Sequence, residues 1–373
     1  MAAVGDVVVV GGGAVGAACA RELAQAGRRV VMLERGGDVG QAWRAAAGML
    51  APQIEAGPDD PLLPLGLAGR ELYPLLAEAL VEATGVDIGL WRDGIAWAAA
   101  DEVEAGTLQA HCAWQRKHGL SSEWLDADEV RRRVPWLGPA CGALWAPEDG
   151  ALDPVKLVSA LRKDAQRLGA ELLYDSVTAV ERRGDCVTGV IGREGRYSAA
   201  DVILAGGAWS AHVDGVPRPL AVAPVRGQMA AFPWPDRAPR AIVFGHGCYL
   251  LARGDEAIAG STMEYVGFRS ETTPDGIGRI TAAAGALCPP LRGGEPTRTW
   301  AGLRPVSADG LPILGAEPRL RGLWYATGHG RNGILLAGIT GVLMRQLLAG
   351  DATALPLDVY APSRFWSWEH GGA

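Results

Sequence analysis

Val7-Val8-Val9-Val10-Gly11-Gly12-Gly13-Ala14-Val15-Gly16 decides the fold of this chain. Four successive β-branched residues suit a strand buried on both faces of a parallel sheet. Three glycines break the strand, and Ala14 to Ala26 then reads as a helix closed by Gly27. Arg29 to Glu34 reads as a second strand. The unit is strand–turn–helix–strand, the opening of a doubly wound parallel sheet. Its turn satisfies G-x-G-x-x-G. Gly11 permits the tight turn, Gly13 lets backbone approach a pyrophosphate, and Gly16 lets helix and strand pack closely. The helix start offers free N–H groups and a positive dipole end to phosphates. Glu34, 18 residues beyond Gly16 at the end of the second strand, is placed to accept a hydrogen bond from a ribose diol. The pattern fits FAD or NAD, and its place at the start of the chain argues for FAD.

Working outward, helices are expected at Leu62 to Thr84, Asp101 to Gly119, Asp126 to Val134 and Pro154 to Leu168. The last has Asp153 as N-cap and Pro154 at its first position. Glu171 to Tyr174, Val177 to Arg182, Val187 to Ile191 and Asp201 to Ala205 read as strands. Pro217 to Arg304, rich in Pro, Gly and short apolar runs, reads as a mostly antiparallel sheet with turns. Gly322 to Thr327 reads as a strand and Asn332 to Leu348 as a helix. The fold class expected is α/β (α+β overall): a Rossmann-like FAD-binding domain and a discontinuous substrate domain on a mostly antiparallel sheet. The FAD-binding domain takes residues 1–85, 150–215 and 300–362. The substrate domain takes 86–149 and 216–299, and Ser363 to Ala373 is a loose tail.

Composition narrows the function. The 373 residues carry a formal net charge of −7 and no dense basic block, which argues against a nucleic-acid partner. Arg131-Arg132-Arg133 follows Asp126, Asp128 and Glu129, so it reads as a solvated helix face with compensating charge. Lys117, Lys156 and Lys163 are the only lysines, leaving few candidates for a catalytic amine. The six cysteines form no C-x-x-C pair and no Cys/His cluster with zinc spacing, so no metal site is expected. They read as free thiols of a reducing, cytoplasmic protein. The first strand begins almost at Met1 with no basic leader, and the apolar runs fall short of the ~20 residues a bilayer needs. Neither a signal peptide nor a membrane span is expected.

A second glycine turn, Gly328-His329-Gly330-Arg331-Asn332-Gly333, also follows a strand and opens a helix. It fails as a nicotinamide site. Asp351 stands 18 residues beyond Gly333 but directly after the helix-ending Gly350, so no second strand carries it. This helix start is read as aimed at a flavin ring, where its dipole and N–H groups stabilise negative charge on the reduced ring.

Four segments together resemble the D-amino-acid oxidase family of flavoproteins, and within it the glycine-oxidase branch of thiamine biosynthesis. They are Ala45-Ala46-Ala47-Gly48-Met49-Leu50, the run from Asp201 to Ser210, Trp300-Ala301-Gly302-Leu303-Arg304-Pro305 and the run from Gly328 to Leu336. The resemblance covers residues 5 to 350. It implies FAD contacts at Ala14, Val15, Glu34, Arg35, Ala47, Gly48, Met49 and Val177, and at His329, Gly330, Arg331, Asn332, Gly333, Ile334 and Leu335. It implies that Arg304 holds a substrate carboxylate with Tyr249, that Arg331 is a further active-site arginine, and that the Met263 carbonyl accepts from the substrate amine. It implies oxidation of a small amino acid or amine with O2 as electron acceptor. The alternative is a related flavin dehydrogenase that passes electrons to a quinone or carrier. The partners expected are that substrate, O2 and further copies of the chain in a homo-oligomer.

Bottom-up chemistry agrees with the implied site. A guanidinium fork binds a carboxylate bidentately, and a phenol adds a third donor. Such a grip fixes the Cα–H under a flavin, which then takes the hydride, so the protein needs no strong acid or base. The sequence departs from the family at Trp43-Arg44, where a small hydroxyl residue is common before AAAGML. It also departs at Gly330, in place of a large aromatic residue, and at Gly338, in place of a proline. Gly330 removes side-chain volume close to Arg331, which predicts a roomier pocket there or one filled by another loop.

Overall fold

The computed structural model describes residues 4–37, 39–235 and 238–366. Val7–Val10 lies in the middle of a six-stranded sheet, with Val30–Glu34 and then Glu171–Tyr174 on one side. Asp201–Leu204, Leu323–Thr327 and Ile313–Ala316 lie on the other. All pairings are parallel except that of the Ile313–Ala316 edge strand. Val7, Val8 and Val9 are fully buried, because helices cover one face of the sheet and a smaller sheet with loops covers the other. That double covering is why the run carries no polar alternation.

The helix Ala14–Gln25 packs against Gly333–Ala349 and Pro154–Arg167. Close approach needs small residues: a Cβ at Gly341 would lie 2.8 Å from the Ala18 carbonyl oxygen. The run Gly330–Ala349 is long and apolar enough to cross a bilayer, contrary to the expectation that every apolar run falls short. Its side chains from Ile334 to Gly341 are buried against helices Ala14–Gln25 and Leu63–Thr84. The apolar length serves the core.

A nine-stranded sheet forms the second layer. Its order is Gly40–Gln41, Arg298–Ser307, Val222–Pro233, Glu256–Gly260, Cys248–Arg253, Ile242–Gly245, Ile95–Ala99, Gly142–Ala146 and Glu123–Asp126. Only two of its pairings are parallel, Gly40–Gln41 with Arg298–Ser307 and Ile242–Gly245 with Ile95–Ala99. The boundary expected at residue 300 falls inside Arg298–Ser307, which pairs with Val222–Pro233 from Arg298 to Ser307. The strand that carries Arg304 is therefore part of the larger sheet, and it leads straight back to the six-stranded one.

Two expectations need correction. Pro274–Leu287, inside the stretch read as sheet and turns, is a helix. Its Gly276, Gly278 and Gly285 weaken the helical pattern in the sequence. Thr273 caps it by accepting from Gly276 N, Pro274 starts it, and Ile280, Ala284 and Leu287 bury it against the sheet. Packing overrides propensity here. The other correction concerns the expected loose tail. Residues 363–366 are packed: Arg364 donates to Asp309 at 2.8 Å and to the Tyr360 carbonyl at 2.7 Å. Residues 367–373 lie outside the described residues. The Arg131–Arg133 run meets its expectation: a capping box of Asp126 and Glu129 starts the helix Ala127–Arg133, and Arg131 and Arg133 pair with Asp128 and Glu123.

Candidate active site

Between the two sheets runs a cavity of about 910 Å³, at the upper end of the range for ligand sites. Gly11, Gly13, Ala14 and Val15 line one end, and Arg304, Tyr249 and Met263 line the other. At the first end Gly11 has φ +101°, and a Cβ there would lie 2.5 Å from the Ala205 oxygen. A Cβ at Gly16 would lie 1.8 Å from the Gly11 oxygen. Gly16 itself does not line the cavity; it lets the turn fold back on the helix. The helix Ala14–Gln25 starts with no side-chain cap and no acidic residue in its first turn. Its N–H groups are thus left for a ligand anion.

Glu34 borders this end, held in place by four donors. Its Oε2 accepts from Gly12 N at 2.8 Å and Arg162 Nη2 at 3.3 Å, and its Oε1 accepts from Gly36 N and Gln41 Nε2 at 3.1 Å each. Arg162 Nε also donates to the Gly12 carbonyl at 2.7 Å. Arg35 stacks over Trp209, its guanidinium carbon 3.5 Å from the ring centre. Val177 closes the same end together with Asp175 and Asp214.

The AAAGM segment forms the middle wall. It is fixed from outside: Trp300 Nε1 donates to the Ala45 carbonyl at 3.2 Å, and Arg253 donates to the carbonyls of Ala47 and Leu152. Opposite stands the turn His329–Ile334. The helix Gly333–Ala349 also begins with no side-chain cap and no acidic residue in its first turn. His329 is buried beside Thr340, Nε2 to Oγ1 at 3.0 Å, and loss of solvent drives its pKa down to about 3. A ring that stays neutral at any physiological pH suits a structural member of the turn rather than a proton carrier. Leu335 does not line the cavity; its side chain packs in the helical core near Gly66.

Arg304 reaches the far end between two strands. Its Nη1 donates to the Thr262 carbonyl at 3.0 Å and its Nη2 to Ser261 Oγ at 2.6 Å. A Cβ at Gly227, on the neighbouring strand, would lie 2.3 Å from the guanidinium, so only glycine leaves it room. Burial lowers the Arg304 pKa, partly offset by Tyr249 and Glu55. Both groups that accept from Arg304 are neutral. The half-buried guanidinium thus faces the cavity with no carboxylate bonded to it. Tyr249 stands on Cys248–Arg253, separated from the Arg304 strand by two others in the sheet, its hydroxyl 3.3 Å from Met229 Sδ, and burial pushes its phenol well above the ordinary range. It is therefore a neutral donor. Arg331 Nε pairs with Glu55 Oε2 at 3.0 Å, and the Met263 side chain is exposed at the cavity wall.

The structure thus brings together residues more than 200 positions apart in sequence. It also sets Trp43, noted above only as a departure, beside Gly13, and adds residues that sequence reasoning missed: Arg162 beside the first glycine turn, Gly227 under Arg304, and Glu55 beside Arg331. The Gly227 and Glu55 positions carry no motif of their own. No cluster of metal-binding side chains occurs among the described residues.

An elongated cavity with a helix start at each flank and a glycine cradle fits a flavin dinucleotide. Glu34, the AAAGM wall and the His329–Ile334 turn would hold it between pyrophosphate cradle and arginine. The fold and site define a flavin-dependent oxidoreductase. Comparison with known families agrees: the FAD dependent oxidoreductase model, DAO, matches residues 6–347, and the chain belongs to that family. The chain is 37% identical over 365 residues to the glycine oxidase of Geobacillus kaustophilus (strain HTA426), covering 96% of this chain and 97% of that protein. It is 36% identical over 372 residues to the bifunctional protein ThiO/ThiG of Synechocystis sp., covering 96% of this chain but 54% of that longer protein. The crystal structure of glycine oxidase from Geobacillus kaustophilus superposes with a TM-score of 0.91 at 34% identity, covering 98% of this chain and 100% of that one.

Proposed function

We propose that the protein oxidises a small amino acid or amine at the carbon next to nitrogen, with glycine, sarcosine and small D-amino acids as the substrate class. The observation that carries this reading is Arg304: a half-buried guanidinium at the end of the cavity, with only neutral hydrogen-bond partners. Its fork grips the substrate carboxylate, and the Tyr249 hydroxyl adds a third donor. The Met263 backbone carbonyl accepts from the substrate amine. These contacts orient the Cα–H toward the AAAGM wall, and orientation is the main contribution asked of the protein. Bound FAD supplies the two-electron acceptor that takes the hydride. No side chain at this end needs to act as a base: Tyr249 is held neutral and His329 is turned into the core. The imine released hydrolyses to an oxo acid and ammonia, or methylamine where the substrate is sarcosine, and O2 is the second acceptor, giving hydrogen peroxide.

The names of the relatives support the substrate class, and Gly330 widens it. A Cβ at Gly330 would meet nothing within 4 Å, so the space beside Arg331 is open. The test is peroxide release by the purified yellow protein with glycine, sarcosine, D-alanine and D-proline. Turnover of more than one is expected. Glycine alone as substrate would refute the wider pocket, consumption without peroxide would refute O2 as acceptor, and no consumption would refute the reading.

A further inference from the structure

Three charged side chains meet at the substrate end of the cavity: Arg304, Arg331 and Glu55. Arg331 and Glu55 form an ion pair at 3.0 Å, with side chains 54% and 20% exposed. Arg304 has the neutral partners described above. Glu55 lies within electrostatic reach of both guanidiniums. Burial pushes its carboxyl pKa up, and Arg331 and then Arg304 oppose that push.

Glu55 is also held in place. It ends the short turn Pro52–Glu55, whose Gln53 and Ile54 N–H groups donate to Asp149 Oδ2 at 3.1 Å and 2.7 Å. Asp149 is itself clamped by the buried Arg70 at 2.8 Å. The carboxylate is thus delivered to Arg331 by a rigid, fully bonded support.

Resting on the carboxylate-clamp reading above, we propose that Glu55 is a specificity-determining residue that occupies Arg331 and so restricts the site to substrates with a single acidic group. Of these three side chains, Glu55 is paired with Arg331, which leaves Arg304 hydrogen-bonded only to neutral groups. A substrate with one carboxylate matches it. A substrate with a second acidic group, on its side chain or on an N-carboxymethyl arm, meets Glu55 in front of Arg331. It must displace Glu55 from Arg331 or stand beside a like charge. A Cβ at Gly330 would meet no protein atom within 4 Å, so no side chain of that turn stands in the way of a second group, and the rejection proposed is one of charge.

The experiment titrates the flavin-containing protein with two unreactive ligands, glycolate with one carboxylate and oxydiacetate with two. Binding is read from the visible absorption of the flavin. The wild type is expected to bind glycolate at least about tenfold more tightly than oxydiacetate. In Glu55→Gln, oxydiacetate tightens by about tenfold or more while glycolate stays within roughly threefold. Glu55→Asp keeps the wild-type ranking, and the double variant Glu55→Gln with Arg331→Gln loses the oxydiacetate gain. Equal changes for both ligands in Glu55→Gln, or a gain that survives loss of Arg331, would overturn the proposal while leaving the clamp intact. A wild-type spectrum that responds to neither ligand would overturn the clamp and this proposal with it.

Discussion

Replacing Arg304 with Ala removes a half-buried cation at the cavity end whose hydrogen-bond partners are neutral, the Thr262 carbonyl at 3.0 Å and Ser261 Oγ at 2.6 Å. Losing one partner of a buried charged pair costs about 2–5 kcal/mol, which is roughly 30-fold to several thousandfold in kcat/KM. The upper half of that range is expected, because the ligand carboxylate would be left in a site stripped of its charge. Arg304→Lys restores the charge without the fork, and so recovers part of the loss. Flavin content is the control. Arg304 lies at the opposite end of the cavity from the Gly11–Gly16 cradle, so both variants should retain the wild type's full flavin content. The assay is steady-state peroxide release with glycine and D-alanine, paired with a glycolate titration. An Arg304→Ala protein with full flavin and an unchanged kcat/KM would refute the assignment, as would a loss confined to kcat with glycolate affinity intact.

Arg70→Ala should destabilise the fold by about 3–5 kcal/mol in urea unfolding, because it strands Asp149, which is fully buried. Burial already holds the Asp149 carboxyl up at about 7. The variant should therefore lose more at pH 8, where wild-type Asp149 is ionised and paired, than at pH 6; a pH-independent cost under about 1 kcal/mol would refute this. His329 contributes the opposite slope. Its folded pKa of about 3 lies below the unfolded value of about 6.5, so stability is complete above pH 6.5 and falls as the pH drops toward 3, by up to roughly 4 kcal/mol. His329→Gln should flatten that part of the curve, and a pH-stability profile identical to the wild type would count against a buried neutral ring.

The sequence by itself determined the first βαβ unit, because a run of valines and a glycine turn are local instructions. Val7–Val10 and Glu171–Tyr174 appear where the residue pattern puts them, and Asp153 caps its helix through bonds to Val155 N and Lys156 N. The cavity-lining residues legible in sequence were those carried by motifs, such as Arg304 and the turn from His329 to Gly333. Pro274–Leu287 was not legible, since its glycines hide a helix that forms only because a sheet lies beneath it. Nor were Glu55, Gly227 and Arg162. None has a pattern of its own, and each acquires meaning from a neighbour far along the chain: Arg331, Arg304 and Glu34. Local propensity and periodicity act over a few residues, whereas charge pairing and steric clearance act through space. The sequence could therefore say that an arginine would meet a carboxylate, and only the tertiary structure could say which arginine was already taken.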